Sequence, residues 1–244
     1  MAISLWGGIS PHMACQKSSL LSPSGYPSNS PAAANSPADT GATGLRMLAL
    51  GDSYTIGQSV PEADRYPEQI VKKLCTNDHI CFEKPQIIAT TGWTTGNLLD
   101  AITSASPSGP YQAVTLLIGV NNQFQGLSQD EYKTQLMTLL QQSIALAGNQ
   151  PSHVLVLSIP DYSVTPFGRS ARDPLFIAAQ IDSFNNINRQ LAANYSVNWL
   201  DVTTESRKAA TDPTLIAADG LHFSGKEYEI WARLMEPIIK GMMN

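Results

Sequence analysis

The chain is poor in charge. Asp, Glu, Lys and Arg make up 14% of its 244 residues, and Lys and Arg are scattered with no basic run. With a formal net charge of −5 it offers no footprint for nucleic acid and no attraction to anionic membranes. Cysteine is scarce. Cys15, Cys75 and Cys81 form no Cys-x-x-Cys pair, so zinc-ribbon and thioredoxin-type readings lack support. Cys75 and Cys81 are close enough in sequence to bridge, leaving Cys15 over, and a disulfide and a pair of free thiols both stay open. No apolar run approaches the ~18 residues that span a bilayer, so no transmembrane segment is expected. What is plentiful is apolar side chain. A hydrophobic content of 43% in a chain of this length is enough to bury a full core. Nothing in these figures sets the oligomeric state.

Composition divides the chain in two. Residues 1–44 are dominated from residue 18 onward by Ser, Pro, Ala, Gly and Asn, with no apolar period. Such a stretch buries too little apolar surface to offset its ordering entropy and reads as a flexible tether. Ahead of it stands a weakly apolar segment, residues 3–9, and then Ala14-Cys15. A small residue before a cysteine, followed by a Ser/Pro-rich spacer, fits a lipoprotein-type signal and an envelope-exported protein anchored through Cys15. The missing Lys or Arg ahead of the segment, the Gly7-Gly8 pair and Pro11 fit a disordered extension on a cytoplasmic protein instead. Residues 45–244 form the expected folded domain.

There, short apolar runs alternate with helical patterns. Strands are predicted at 46–50 (RMLAL), 85–90 (PQIIAT), 112–118 (QAVTLLI), 153–159 (HVLVLSI) and 197–202 (VNWLDV). Helices are predicted at 64–74, 95–104, 128–147, 174–194 and 225–242, with Ser128 and Glu131 as a capping box. The strands are continuous apolar runs, the mark of burial on both faces. The implied architecture is a parallel sheet between two helical layers, with its active site at the carboxyl ends of the strands.

The chemistry-bearing residues cluster at those ends. The first strand runs into Gly51-Asp52-Ser53, the second into Thr90-Thr91-Gly92, and the third into Gly119-Val120-Asn121-Asn122. Asp219-Gly220-Leu221-His222 precedes the last helix. A serine hydroxyl needs a base to attack a carbonyl at neutral pH, and His222 is the outstanding candidate. His12 is in the tail, His79 adjoins the cysteines on a surface loop, and His153 begins a strand at the opposite edge. Asp219, three residues before His222, can accept the second imidazole N–H and fix the tautomer. The Ser53 and Gly92 N–H groups and the Asn121 amide are the candidate oxyanion donors.

These blocks, in this order, resemble the SGNH (GDSL-type) hydrolases, and LALGDSYTIGQSV is similar to that family's first block. The resemblance implies a flavodoxin-like three-layer αβα sandwich on a five-stranded parallel sheet. It implies catalytic Ser53, Asp219 and His222, an oxyanion hole of Ser53, Gly92 and Asn121, and a serine esterase acting on acyl esters of small molecules, carbohydrates or lipids with no cofactor or metal. In one departure, Asn122 replaces the Asp that usually follows the oxyanion Asn, which puts local support in question. The Gly-x-Ser-x-Gly elbow is absent, since Thr55 stands at its second glycine.

Each segment alone also has a plain reading: Asp-Ser after a strand is a helix N-cap, Gly119 to Asn122 a turn, and His222 a structural histidine. Their joint order favours the hydrolase over three rivals, which are an acyltransferase with a sugar or lipid acceptor, a non-catalytic ligand-binding module, and a flavin or nucleotide binder. The last would want a tighter glycine loop after the first strand. Tyr54 and Ile56 are expected to pack beneath Ser53, and Trp93 either to line a subsite or to cover its loop. Phe124, Tyr162, Phe167 and Phe223 are expected mainly in packing roles. Asp52 is expected to cap or brace, and Asp161 to lie at the active edge.

Overall fold

The computed structural model describes residues 44–243. Apart from Gly44, the expected tether over residues 1–44, with Cys15 and the signal-like segment, lies outside the described residues.

Five strands pair into one parallel sheet: Met47–Gly51 (β1), Gln86–Ala89 (β2), Ala113–Leu117 (β3), Val154–Leu157 (β4) and Asn198–Leu200 (β5), in the spatial order β2-β1-β3-β4-β5. All five sit where the apolar runs predict them. This is the flavodoxin-like order. The chain leaves β1 toward one edge and β3 toward the other, opening a crevice between their carboxyl ends. Gly51 pairs with both Ala89 and Leu117, so β2, β1 and β3 end level at that crevice. Every residue of β1, β3 and β4 is buried, which is why those segments lack polar alternation.

The helices are Ser53–Ile56 (α1), Tyr66–Asp78 (α2), Thr95–Ala105 (α3), Val120–Phe124 (α4), Gln129–Leu146 (α5), Pro166–Ala171 (α6), Pro174–Asn194 (α7), Thr203–Ser206 (α8) and Gly225–Met242 (α9). Right-handed crossovers place α2 on one face of the sheet and α3, α5 and α7 on the other. The closing helix α9 returns to pack on α2, while α3 packs on α5 and α5 on α7.

Two local expectations change. Ser128 does cap α5, accepting from the Asp130 N–H, but Glu131 does not complete a capping box; its carboxylate accepts from the Gln135 amide one turn on. The reciprocal box forms instead at the start of α3, between Thr94 and Asn97. The open cysteine question closes with a Cys75–Cys81 disulfide.

Candidate active site

Gly51 ends β1 where no side chain fits: a Cβ there would lie 2.1 Å from the Thr55 hydroxyl oxygen and 2.4 Å from the Leu117 carbonyl oxygen. That closeness lets the chain turn directly from strand into α1. Asp52 is the N-cap, its Oδ1 accepting from the Tyr54 N–H at 3.0 Å. Ser53 is therefore the first residue of α1, 5% exposed. Asp52 itself is buried, with Oδ2 unpartnered. Burial pushes its carboxyl up to about 7 against the backbone bonds that favour the charged form.

The two neighbouring strands deliver Gly92 and Asn121. Gly92 has φ +83°, and a Cβ on it would meet nothing within 4 Å, so the backbone conformation and not crowding calls for glycine. Asn121 donates one amide hydrogen to the Trp93 carbonyl at 2.9 Å, which ties the two loops together. The amide's second hydrogen is left over. Asn122 points the other way, into a buried network. Its Oδ1 accepts from the Thr95 N–H at 3.0 Å, and its Nδ2 donates to the Thr95 hydroxyl at 2.7 Å. That hydroxyl gives its own hydrogen to Gln135. The departure from the family pattern is thus self-consistent: Thr95 needs a donor as well as an acceptor, and an amide is both.

The fourth block is a tight loop between facing segments. Ile216 and Phe223 form an antiparallel bridge, and the Ala217 N–H donates to the His222 carbonyl at 2.8 Å. Within the loop Asp219 Oδ1 accepts the N–H groups of Leu221 and His222, both at 2.9 Å. Its Oδ2 lies 2.6 Å from His222 Nδ1 and also accepts from the Ser59 hydroxyl at 2.6 Å. Partial burial works against charge on Asp219. The bonds from Ser59, the Leu221 backbone and His222 prevail and hold its carboxyl well below the usual carboxylate range. An ionised Asp219 assigns the imidazole proton to Nδ1. The ring is buried, with Tyr54 edge-on at 5.6 Å.

Ser53, Gly92, Asn121 and His222 line one cavity of about 120 Å³. Ser53 and His222 share it without a side-chain hydrogen bond between them among the described residues; Asp219 stands behind the imidazole. Apart from Thr91 the remaining wall is mainly apolar, formed by Tyr54, Val120, Phe124, Tyr162, Phe167 and Leu221. Phe124 meets Tyr162 and Phe167 with ring centroids 6.2 Å apart in each case. These three aromatics, expected mainly in packing roles, thus line the cavity, whereas Phe223 is fully buried in the core. Trp93 packs half-buried against the core rather than lining the cavity, and Asp161 caps the next turn and pairs with Arg207 at 2.8 Å. Among the described residues no cluster of three His, Cys, Asp or Glu side chains could hold a metal ion. Sequence reasoning missed Ser59, a serine with no motif around it. It also missed the Thr91–Gln58 bond of 2.7 Å that joins the loops after β2 and α1.

The GDSL-like Lipase/Acylhydrolase family matches residues 49–230, a span holding all the positions above. Among solved structures, TesA superposes with a TM-score of 0.62 at 17% identity, covering 81% of this chain and 99% of its own. A lipase/acylhydrolase from Enterococcus faecalis gives 0.60 at 20% identity, covering 81% and 96%. Axe2, an acetylxylan esterase from Geobacillus stearothermophilus, gives 0.59 at 18% identity, covering 80% and 94%. At such identities the neighbours establish a shared fold. No curated protein sequence matches the chain. On the span and order of the family match, the chain belongs to the GDSL-like lipase/acylhydrolase family.

Proposed function

We propose that residues 45–244 are a serine esterase domain that hydrolyses carboxylic esters through Ser53, His222 and Asp219. The observation that carries this reading is the single cavity onto which Ser53, His222, Gly92 and Asn121 converge, with the imidazole held from behind by an ionised carboxylate.

In the proposed cycle His222 takes the Ser53 proton through its ring nitrogen remote from Asp219 as Oγ attacks the ester carbonyl. Asp219 stabilises the imidazolium that forms and is not itself protonated. The carbonyl oxygen becomes an oxyanion, met by the Ser53 and Gly92 N–H groups and the free hydrogen of the Asn121 amide. His222 passes its proton to the departing alkoxide, leaving an acyl-serine and an alcohol. Water, deprotonated by His222, then attacks the acyl group, and Ser53 recovers its proton as the acid leaves.

The cavity supports a choice of substrate. Beyond the reacting residues and Thr91 its walls are aromatic and aliphatic, and the space is small, about 120 Å³. A short apolar acyl chain fits this space; a charged or polyhydroxylated one would lose hydration without finding partners.

A fluorophosphonate probe should label the wild-type protein at position 53. Ser53→Ala should prevent labelling and abolish turnover of short p-nitrophenyl esters with an unchanged circular dichroism spectrum. An Ala variant that still hydrolysed the ester at the wild-type rate would end the proposal.

A further inference from the structure

The turn after α1 holds an unusual serine. Gly57 closes the helix in the left-handed region, φ +66°, and the Gln58 N–H also returns to the Ser53 carbonyl, at 2.9 Å. Ser59 follows with φ +68°. Left-handed backbone is easy for glycine and costly for a residue with a Cβ, and it persists only where the surroundings enforce it. Two bonds accompany it here: the Val60 N–H closes a turn through Ser59 on the Gly57 carbonyl at 3.2 Å, and the Ser59 hydroxyl donates to Asp219 Oδ2 at 2.6 Å, an exposed bond across 160 positions of sequence.

Asp219 has four donors, two on each oxygen. Leu221 N–H and His222 N–H occupy Oδ1, and His222 Nδ1–H and the Ser59 hydroxyl occupy Oδ2. Three of the four belong to the carboxylate's own loop and would travel with it. Ser59 alone comes from the segment that carries Ser53, six residues earlier. It meets the same oxygen that faces the imidazole.

We propose that Ser59 is a positioning residue: its hydroxyl pins Asp219 Oδ2 to the Ser53 segment and so sets the imidazole of His222 in register with Ser53. This rests on the reading of His222 as the base. Ser59 does not line the cavity, so it acts on the reacting atoms through Asp219 and His222. Without it the Asp219–His222 loop keeps its internal bonds and the Tyr54–His222 ring contact but loses its hydrogen bond to the nucleophile's side. Misplacement of a reacting group by about 1 Å can cost as much as 10²-fold in rate.

The test uses three variants of the full chain. Ser59→Gly removes the hydroxyl and relieves the left-handed backbone, so it separates the contact from strain. Ser59→Ala removes the hydroxyl and keeps the strain. Ser59→Asn keeps a side-chain donor on a residue that tolerates the left-handed region. Turnover of a short p-nitrophenyl ester is measured alongside the downfield proton NMR resonance of the His222 Nδ1–H. Ser59→Gly and Ser59→Ala should both lose roughly tenfold or more in kcat with KM unchanged, and both should shift the resonance. Ser59→Asn should recover kcat and resonance together, relative to Ser59→Ala. A Ser59→Gly variant with wild-type kcat and an unmoved resonance overturns the proposal. So does one whose thermal stability falls while kcat per folded molecule holds. The two ideas fail separately: an active Ser53→Ala sinks the esterase reading, whereas the resonance reports the Ser59 contact with no turnover at all.

Discussion

Asn122 shows how a single atom type can be dictated by its neighbours. Both Asn122 and Thr95 are fully buried, so each polar atom between them needs a partner. The amide orientation is fixed because its oxygen faces the Thr95 N–H, which leaves Nδ2 to donate to a hydroxyl already committed to Gln135. Asn122→Asp would restore the residue the family pattern usually has here, yet it should destabilise this chain. A carboxylate cannot donate to Thr95, and if the hydroxyl hydrogen turns toward it, the Gln135 oxygen loses its donor. The expected loss is about 1–3 kcal/mol in urea unfolding, together with lower esterase turnover, because Thr95 opens α3 immediately after the Gly92 loop. An Asp variant as stable as wild type would mean that the network rearranges without cost. None of this was legible in the sequence, where Asn122 read as a departure that put local support in question. Its explanation lies in Thr95 and Gln135, which become neighbours only through the fold. The convergence of Ser53, Gly92, Asn121 and His222 on one cavity, with Asp219 bonded to the imidazole, was legible because three strand ends and one late loop present them in a fixed order. Ser59 was not, since its partner is far away in sequence and its backbone conformation leaves no trace in residue type.

The elements themselves were legible to within a few residues. Strands β1, β3 and β4 stand out because both faces are buried and the apolar runs are nearly continuous. Capping was harder. The Ser128–Glu131 spacing suits a box, but a flexible Glu on an exposed helix has a competing partner in Gln135 one turn away. The box that does form, at Thr94, uses Asn at the third position and escapes a search for Glu or Gln. Helix α9 carries a further consequence of capping. Ser224 is its N-cap, and Glu227, three residues on, donates its N–H to the Ser224 hydroxyl, while its side chain goes inward to accept from Trp231 Nε1 at 2.7 Å. Glu227 is fully buried and its Oε2 has no partner. Burial raises its carboxyl from 4.5 to about 7. The folded chain therefore holds a proton that the unfolded chain releases near 4.5. Its contribution to stability is complete below that pH and is lost as pH rises through about 7. Glu227→Gln keeps the acceptor for Trp231 and removes the ionisation. Relative to wild type, its melting temperature should rise progressively between pH 4.5 and 7 and level off above. A difference that stays constant with pH would show that Glu227 does not titrate in this window. Asp52, raised for the same reason, gives the variant a residual slope of the same sign. Asp219 has the opposite sign and acts only at more acid pH, where its ionised form is lost.

At the scale of the whole domain the sheet has two ends with different duties. The carboxyl ends of β1, β2 and β3 carry the loops of the site, which need close approach, positive φ and unpaired donors. The amino ends carry connections that only have to hold the layers together. The Cys75–Cys81 disulfide belongs to the second group. Cys75 lies in the last turns of α2 and Cys81 in the connection to β2, one residue before Phe82, which bridges to Leu45 just ahead of β1. It is therefore separated from Ser53 and His222 by the length of the strands. A cross-link closing a loop of six positions restricts the unfolded chain by about 2 kcal/mol on a chain-entropy account. In a domain of this size that corresponds to a melting-temperature shift of roughly 4–8 °C. Replacing both cysteines, Cys75→Ser with Cys81→Ser, should lower the melting temperature by about that amount and leave kcat and KM for a short ester unchanged at about 25 °C. The double variant avoids leaving one free thiol to form intermolecular bridges. Loss of kcat at a temperature where the variant is fully folded would contradict the division of labour between the two ends of the sheet, because it would require the α2–β2 connection to act on the crevice through the strands. An unchanged melting temperature would mean instead that the bond adds nothing that the packing of α2 on α9 does not already supply.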